Sequence, residues 1–161
     1  MKLKFIVFFA LISIYANANA NVCLLNKTKV IKQISLDFDG DGNKDLLRLV
    51  EIVDACIINN AISPWYGRYQ VDSAVFERTK VLFVDNRSNG QVIFDSENPS
   101  ILNTPSANEL MMIHKSDAIK LHRELEKSRG DILIVPTESG IDSYLYWNGM
   151  KYQTLFPNEE P

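Results

Sequence analysis

Nine residues near the start of the chain, Asp37-Phe38-Asp39-Gly40-Asp41-Gly42-Asn43-Lys44-Asp45, constrain the fold more than any other stretch. Two glycines between carboxylates rule out a continuing helix or strand, because glycine in an element interior weakens it and favours tight, positive-φ bends. The flanks do read as strands. Over residues 30–36, Val30, Ile34 and Leu36 share one parity, interrupted by Lys32. Residues 46–53 are rich in leucine and β-branched side chains, with charges at both even and odd positions, which predicts a strand carrying a bulge. The unit is therefore strand, curled acidic loop, strand.

Within the loop, carboxylates fall at positions 1, 3, 5 and 9, from Asp37, Asp39, Asp41 and Asp45. Alternate side chains of a tightly curled backbone converge, so these four can surround one cation, with the main-chain carbonyl of Asn43 at position 7. Left without a cation, the four acids repel one another. Hard oxygen donors in this number suit Ca²⁺, whose shell is variable, better than Mg²⁺, which demands strict octahedral geometry and holds its waters. A solvated acidic turn without metal is the competing reading. A helix–loop–helix calcium site needs a bidentate Glu at position 12, where this chain has Arg48.

The pattern Asp-x-Asp-Gly-Asp-Gly-x-x-Asp between strands resembles the calcium loops of FG-GAP and VCBS-type repeats, over about residues 34–50. The resemblance implies calcium bound by Asp37, Asp39, Asp41 and Asp45, with Asn43 giving a carbonyl. The motif occurs once in this sequence, whereas propellers made of such repeats need several copies. The resemblance therefore implies the loop's chemistry, not the propeller. The chain is also similar to small exported bacterial proteins that carry one such loop and a terminal Tyr-x-Tyr-Trp-x-Gly hairpin.

The first twenty residues read as a secretory signal peptide: Lys2 and Lys4, an apolar run over residues 5–15, then Ala16, Ala18 and Ala20. The run is too short to span a bilayer. Cleavage after Ala20 leaves residues 21–161 as a single mature domain, periplasmic or secreted, with no later membrane span. The formal net charge of −3 falls by two, to −5, when the two leader lysines depart. That sign argues against nucleic acid or anionic lipid as the main partner. Cys23 and Cys56 are the only cysteines, and in an oxidising compartment an even pair is most simply a disulfide. Closing that loop would contribute about 3–4 kcal/mol.

Downstream, residues 69–77, 79–84 and 91–94 read as strands, the last two joined as a hairpin across residues 86–90. The pattern dissolves over residues 54–67, where Trp65 and Tyr66 need a place to pack, and residues 96–106 read as a surface loop. Residues 109–114 and 131–135 read as further strands. One amphipathic helix is expected near residues 116–129, capped by Ser116, with Ala118, Leu121 and Leu125 as its apolar stripe and Gly130 as its stop. Asn148-Gly149 between Tyr144-Leu145-Tyr146-Trp147 and Tyr152 predicts a hairpin with a type I′ turn. The sum is an α+β chain with mainly antiparallel pairing.

No glycine-rich phosphate loop and no paired-histidine zinc helix is present, and Glu138-Ser139-Gly140 lacks the first glycine of a nucleophile elbow. His114, His122, Glu138 and Asp142 are candidate acid–base groups, each equally explained as a solvated or structural residue. Tyr144, Tyr146 and Tyr152 offer a possible aromatic binding surface for a protein or glycan, against the alternative of cross-strand packing. The expectation is a calcium-stabilised, non-enzymatic binding domain, one version being an inhibitor or immunity protein against a periplasmic hydrolase. The alternative is a calcium-dependent periplasmic hydrolase with an Asp/Glu site.

Overall fold

A computed structural model describes residues 28–65, 70–85, 91–93 and 101–157. The leader, Cys23, Tyr66 and the hairpin turn at residues 86–90 lie outside the described residues. The fold is α+β and mainly antiparallel, as the strand patterns predict. Among the described residues, ten strands form two sheets: β1 (Thr28–Leu36), β2 (Asp45–Ile52), β3 (Cys56–Ile62), β4 (Gln70–Phe76), β5 (Thr79–Asp85), β6 (Gln91–Ile93), β7 (Met111–Ile113), β8 (Ile132–Val135), β9 (Ser143–Trp147) and β10 (Tyr152–Leu155). The first six are ordered β1-β2-β5-β6-β3-β4 and the last four β10-β9-β8-β7. All pairings are antiparallel except β3 with β6.

The main core lies between the sheets. Leu36, Leu47, Leu49, Leu82, Val84 and Ile93 of the first meet Leu133, Val135, Leu145 and Tyr152 of the second. The opposite face of the larger sheet carries its own apolar cluster, including Val50, Ile52, Val81 and Phe83. Strand β2 is thus apolar on both faces, which is why residues 46–53 show no clean alternation. Arg48 sits there with its guanidinium 5.0 Å from the centre of the Phe83 ring. The expected bulge lies across the hairpin, in β1 between Val30 and Lys32. It switches the strand's parity, turning Val30 out (51 % exposed) while Ile31 packs on the core.

Three sequence expectations change. Residues 56–62 form a strand, hidden in the sequence because Asn59-Asn60 interrupts its apolar run. In the 96–106 segment, Ile101 and Leu102 are core residues, not surface loop. The helix over 116–129 is two shorter pieces, α1 (Lys115–Leu121) and a 3₁₀ turn (Arg123–Lys127), separated by an extended His122. His114, not Ser116, occupies the N-cap position, without a side-chain cap. Ala118 and Leu125 are buried, but Leu121, the last residue of α1, is 61 % exposed. Leu121→Ser is therefore expected to change folding stability by no more than about 0.5 kcal/mol, measured by urea denaturation. A loss above 2 kcal/mol would restore the continuous stripe.

Candidate metal centre

The loop between β1 and β2 winds around its own carboxylates. Gly40 and Gly42 adopt φ of 76° and 87° and donate their amides to Asp37, at 2.9 Å to Oδ1 and 3.1 Å to Oδ2. The Asp41 amide donates to Asp39 Oδ1 at 3.1 Å and the Phe38 amide to Asp45 Oδ2 at 3.0 Å. One carboxylate oxygen from each of Asp37, Asp39 and Asp45 lies within 4.8 Å of the other two. Some point lies within about 2.8 Å of all three, the side divided by √3. Calcium–oxygen bonds run about 2.3–2.6 Å and magnesium–oxygen bonds about 2.0–2.1 Å. The three oxygens can therefore approach a single cation with little rearrangement.

The fourth acid is not in this group. Asp41 accepts from the Asn43 amide (2.7 Å) and side-chain Nδ2 (3.0 Å). The pair closes an Asx-type turn. Of the five residues expected to gather round a cation, the structure brings together the carboxylates of Asp37, Asp39 and Asp45.

Asp45 is the buried member, 7 % exposed. Burial pushes its carboxyl above the ordinary value, the Phe38 amide opposes this, and the neighbouring Asp39 charge adds to the rise. Beneath the loop, Phe38 is 1 % exposed and stacks on Tyr152 at a centroid distance of 5.3 Å. Burial, then the charges of Asp45 and Asp39, hold the Tyr152 phenol well above its usual range.

A second segment, unforeseen from the sequence, completes the locality. The Asp131 amide donates to the Asp37 carbonyl at 2.6 Å, and the Asp37 amide donates back to Asp131 Oδ2 at 3.2 Å. Asp131 Oδ1 lies 3.0 Å from His114 Nδ1, in an ion pair when the imidazole is protonated. Gly130 permits this approach: a Cβ there would overlap the Asp37 carbonyl oxygen and stand 2.6 Å from the Gly40 nitrogen. Gly130 is therefore a contact glycine and not a helix stop.

The aromatic hairpin differs from expectation. Tyr144, Tyr146 and Tyr152 are 7 %, 6 % and 7 % exposed, so they form core instead of a presented surface. Both faces of β9 are covered: Leu145 faces the other sheet, while Tyr144 and Tyr146 pack with Ala118, Leu125 and Ile132. The Tyr144 hydroxyl lies 3.3 Å from His122 Nε2. The turn is not type I′, because Gly149 has positive φ (97°) but Asn148 does not. Instead, Asn148 Oδ1 accepts the amides of Met150 and Lys151, both at 2.9 Å, and Tyr152 pairs with Trp147. Glu138 and Asp142 flank the turn at Gly140, outside the converging carboxylates. Cys56 opens β3 in a buried position. Comparison with protein-family models, with curated proteins and with solved structures returns no match.

Proposed function

We propose that this chain is an exported, calcium-stabilised, non-enzymatic interaction domain, acting in the periplasm or outside the cell. The observation that carries this reading is the convergence of Asp37, Asp39 and Asp45 in a loop closed by its own amides. A site whose carboxylates are spent on backbone amides suits structural binding, where ion affinity adds to folding energy. Catalytic sites keep an open coordination position. A disulfide between Cys23 and Cys56 would tie the mature N-terminus to β3. The partner is a protein or glycan, and in the specific version the domain is an inhibitor or immunity protein blocking a periplasmic hydrolase. With the three tyrosines in the core, the partner is met through other surface.

One observation favours the second reading, a calcium-dependent hydrolase. His114 is bonded to Asp131, which holds the loop, and its side chain is 63 % exposed. A carboxylate-oriented histidine near a cation is an arrangement used for general base work. A pull-down with the purified protein, with and without a calcium chelator, separates the two. Stoichiometric recovery of a partner that survives His114→Ala is expected. No partner under either condition, together with hydrolysis of a cell-wall substrate that His114→Ala abolishes, selects the hydrolase.

A further inference from the structure

Among the described residues each sheet ends on two edge strands. A strand edge offers N–H and C=O groups that another chain can join, unless something prevents it. Three of these edges are protected. β1 carries Lys29 and Lys32 and the bulge between Val30 and Lys32, while β7 and β10 are only three and four residues long. The remaining edge, β4, ends the larger sheet and pairs among the described residues with β3 alone. It runs for seven residues, Gln70-Val71-Asp72-Ser73-Ala74-Val75-Phe76, without lysine or proline. Its register with β3 holds unshifted from Cys56 opposite Phe76 to Ile62 opposite Gln70. An apolar pair stands on this edge: Ile57 and Val75 lie directly opposite each other and are 61 % and 67 % exposed. The next residue, Phe76, is buried with Cys56 and Ile58 on the other face. Exposed branched side chains along a long, unprotected edge mark a place that takes another strand.

The sequence of β4 selects the occupant. Residues directly opposite in an antiparallel pair project to the same face, so a two-fold axis must pass through a residue. An axis between residues would set the exposed face of one copy beside the buried face of the other. With the axis at Ser73 every position of the strand pairs. Val71 then falls opposite Val75 of the partner subunit, Asp72 opposite the partner's Ala74 and Gln70 opposite the partner's Phe76. Moving the axis to Asp72 sets two carboxylates against each other, and moving it to Ala74 leaves Gln70 and Val71 outside the pairing. We propose that β4 is a homodimer interface, through which two copies of this chain join their larger sheets by antiparallel β4–β4 pairing about Ser73. The interface is isologous, and the Ile57–Val75 pair of each copy extends the apolar strip across the two-fold. The inference is independent of the acidic loop and of any cation.

Sedimentation equilibrium of the purified protein is expected to show a concentration-dependent equilibrium between monomer and dimer. Val75→Lys places on β4 the charge that guards β1, and it enters two symmetry-related pairs. It should raise the dimer dissociation constant about tenfold. Its melting curve at low concentration should match wild type, since the side chain is exposed. Cysteine cross-linking under mild oxidation reads the register. Ser73→Cys sets two thiols opposite one another and should give a covalent dimer. Val75→Cys sets them about four residues apart along the strands, beyond disulfide reach, and should not. A wild type that stays monomeric up to about 1 mM would overturn the proposal, including the case in which the edge takes an extended segment of a different protein. A dimer that Val75→Lys leaves intact would overturn it equally. So would a dimer in which Ser73→Cys fails to cross-link or Val75→Cys succeeds.

Discussion

Gly130→Ala is expected to lose about 3–5 kcal/mol of folding stability, the largest effect of any single methyl added near the acidic loop. The new carbon would meet three main-chain groups at once: the Asp37 carbonyl oxygen, the Gly40 nitrogen and, at 2.9 Å, the Phe38 carbonyl carbon. None of these is the end of a flexible side chain, so the clash is relieved only by separating two backbone segments. Separation also breaks the bond from the Asp131 amide to the Asp37 carbonyl and its return partner. Gly40 is the reciprocal position, where a Cβ would press on the Arg129 carbonyl group while φ is 76°. Gly42 provides the control. It has φ of 87° but nothing within 4 Å of a Cβ, so Gly42→Ala incurs only the left-handed backbone strain, about 1–2 kcal/mol. Urea unfolding of the three variants should rank Gly130 and Gly40 together, well below Gly42. A Gly130→Ala protein within 1 kcal/mol of wild type would show that the interlock carries no stability.

The same contact marks where sequence reading stops. Strand, loop and hairpin positions were legible because each is written in local chemistry: alternation in residues 70–76, the Gly-Asp pattern of the loop, the Asn148-Gly149 pair. What was not legible depends on a partner distant in the chain. Asp131 and Asp37 are 94 residues apart, and nothing local to Gly130 distinguishes a contact glycine from a helix stop. The tyrosines show the same limit in burial. The packing of α1 and the 3₁₀ turn on the outer face makes Tyr144 and Tyr146 interior, as Leu145 is on the other side. That Asp41 accepts two bonds from Asn43 is likewise a matter of local packing that the spacing of the acids does not state.

Calcium is expected to raise the melting temperature by about 6–10 °C when present at about a hundredfold its dissociation constant, where mass action contributes about 2.7 kcal/mol. Asp45 makes the sign of the effect testable in both states. Without the ion, burial and the Asp39 charge raise its folded-state pKa above the unfolded value. A raised pKa means that the folded form binds the proton more tightly. Its contribution to stability is therefore complete below the ordinary carboxylate value and is lost as pH rises through the raised one. At neutral pH the ionised Asp45 is then a liability in the cation-free protein. Asp45→Asn removes the charge while keeping an oxygen for the Phe38 amide. The variant should accordingly melt at or above wild type in chelator at neutral pH, and the two should converge as pH falls below the ordinary carboxylate range. With calcium the order inverts, because the ion cancels the repulsion in wild type and finds only two of its three carboxylates in the variant. A wild type that leads in both states would assign Asp45 a role independent of any ion. Equal calcium shifts in the two proteins would remove Asp45 from the site. The inversion is specific to a buried carboxylate whose unfavourable charge is offset by a bound cation, and a solvated acidic turn has no means of producing it.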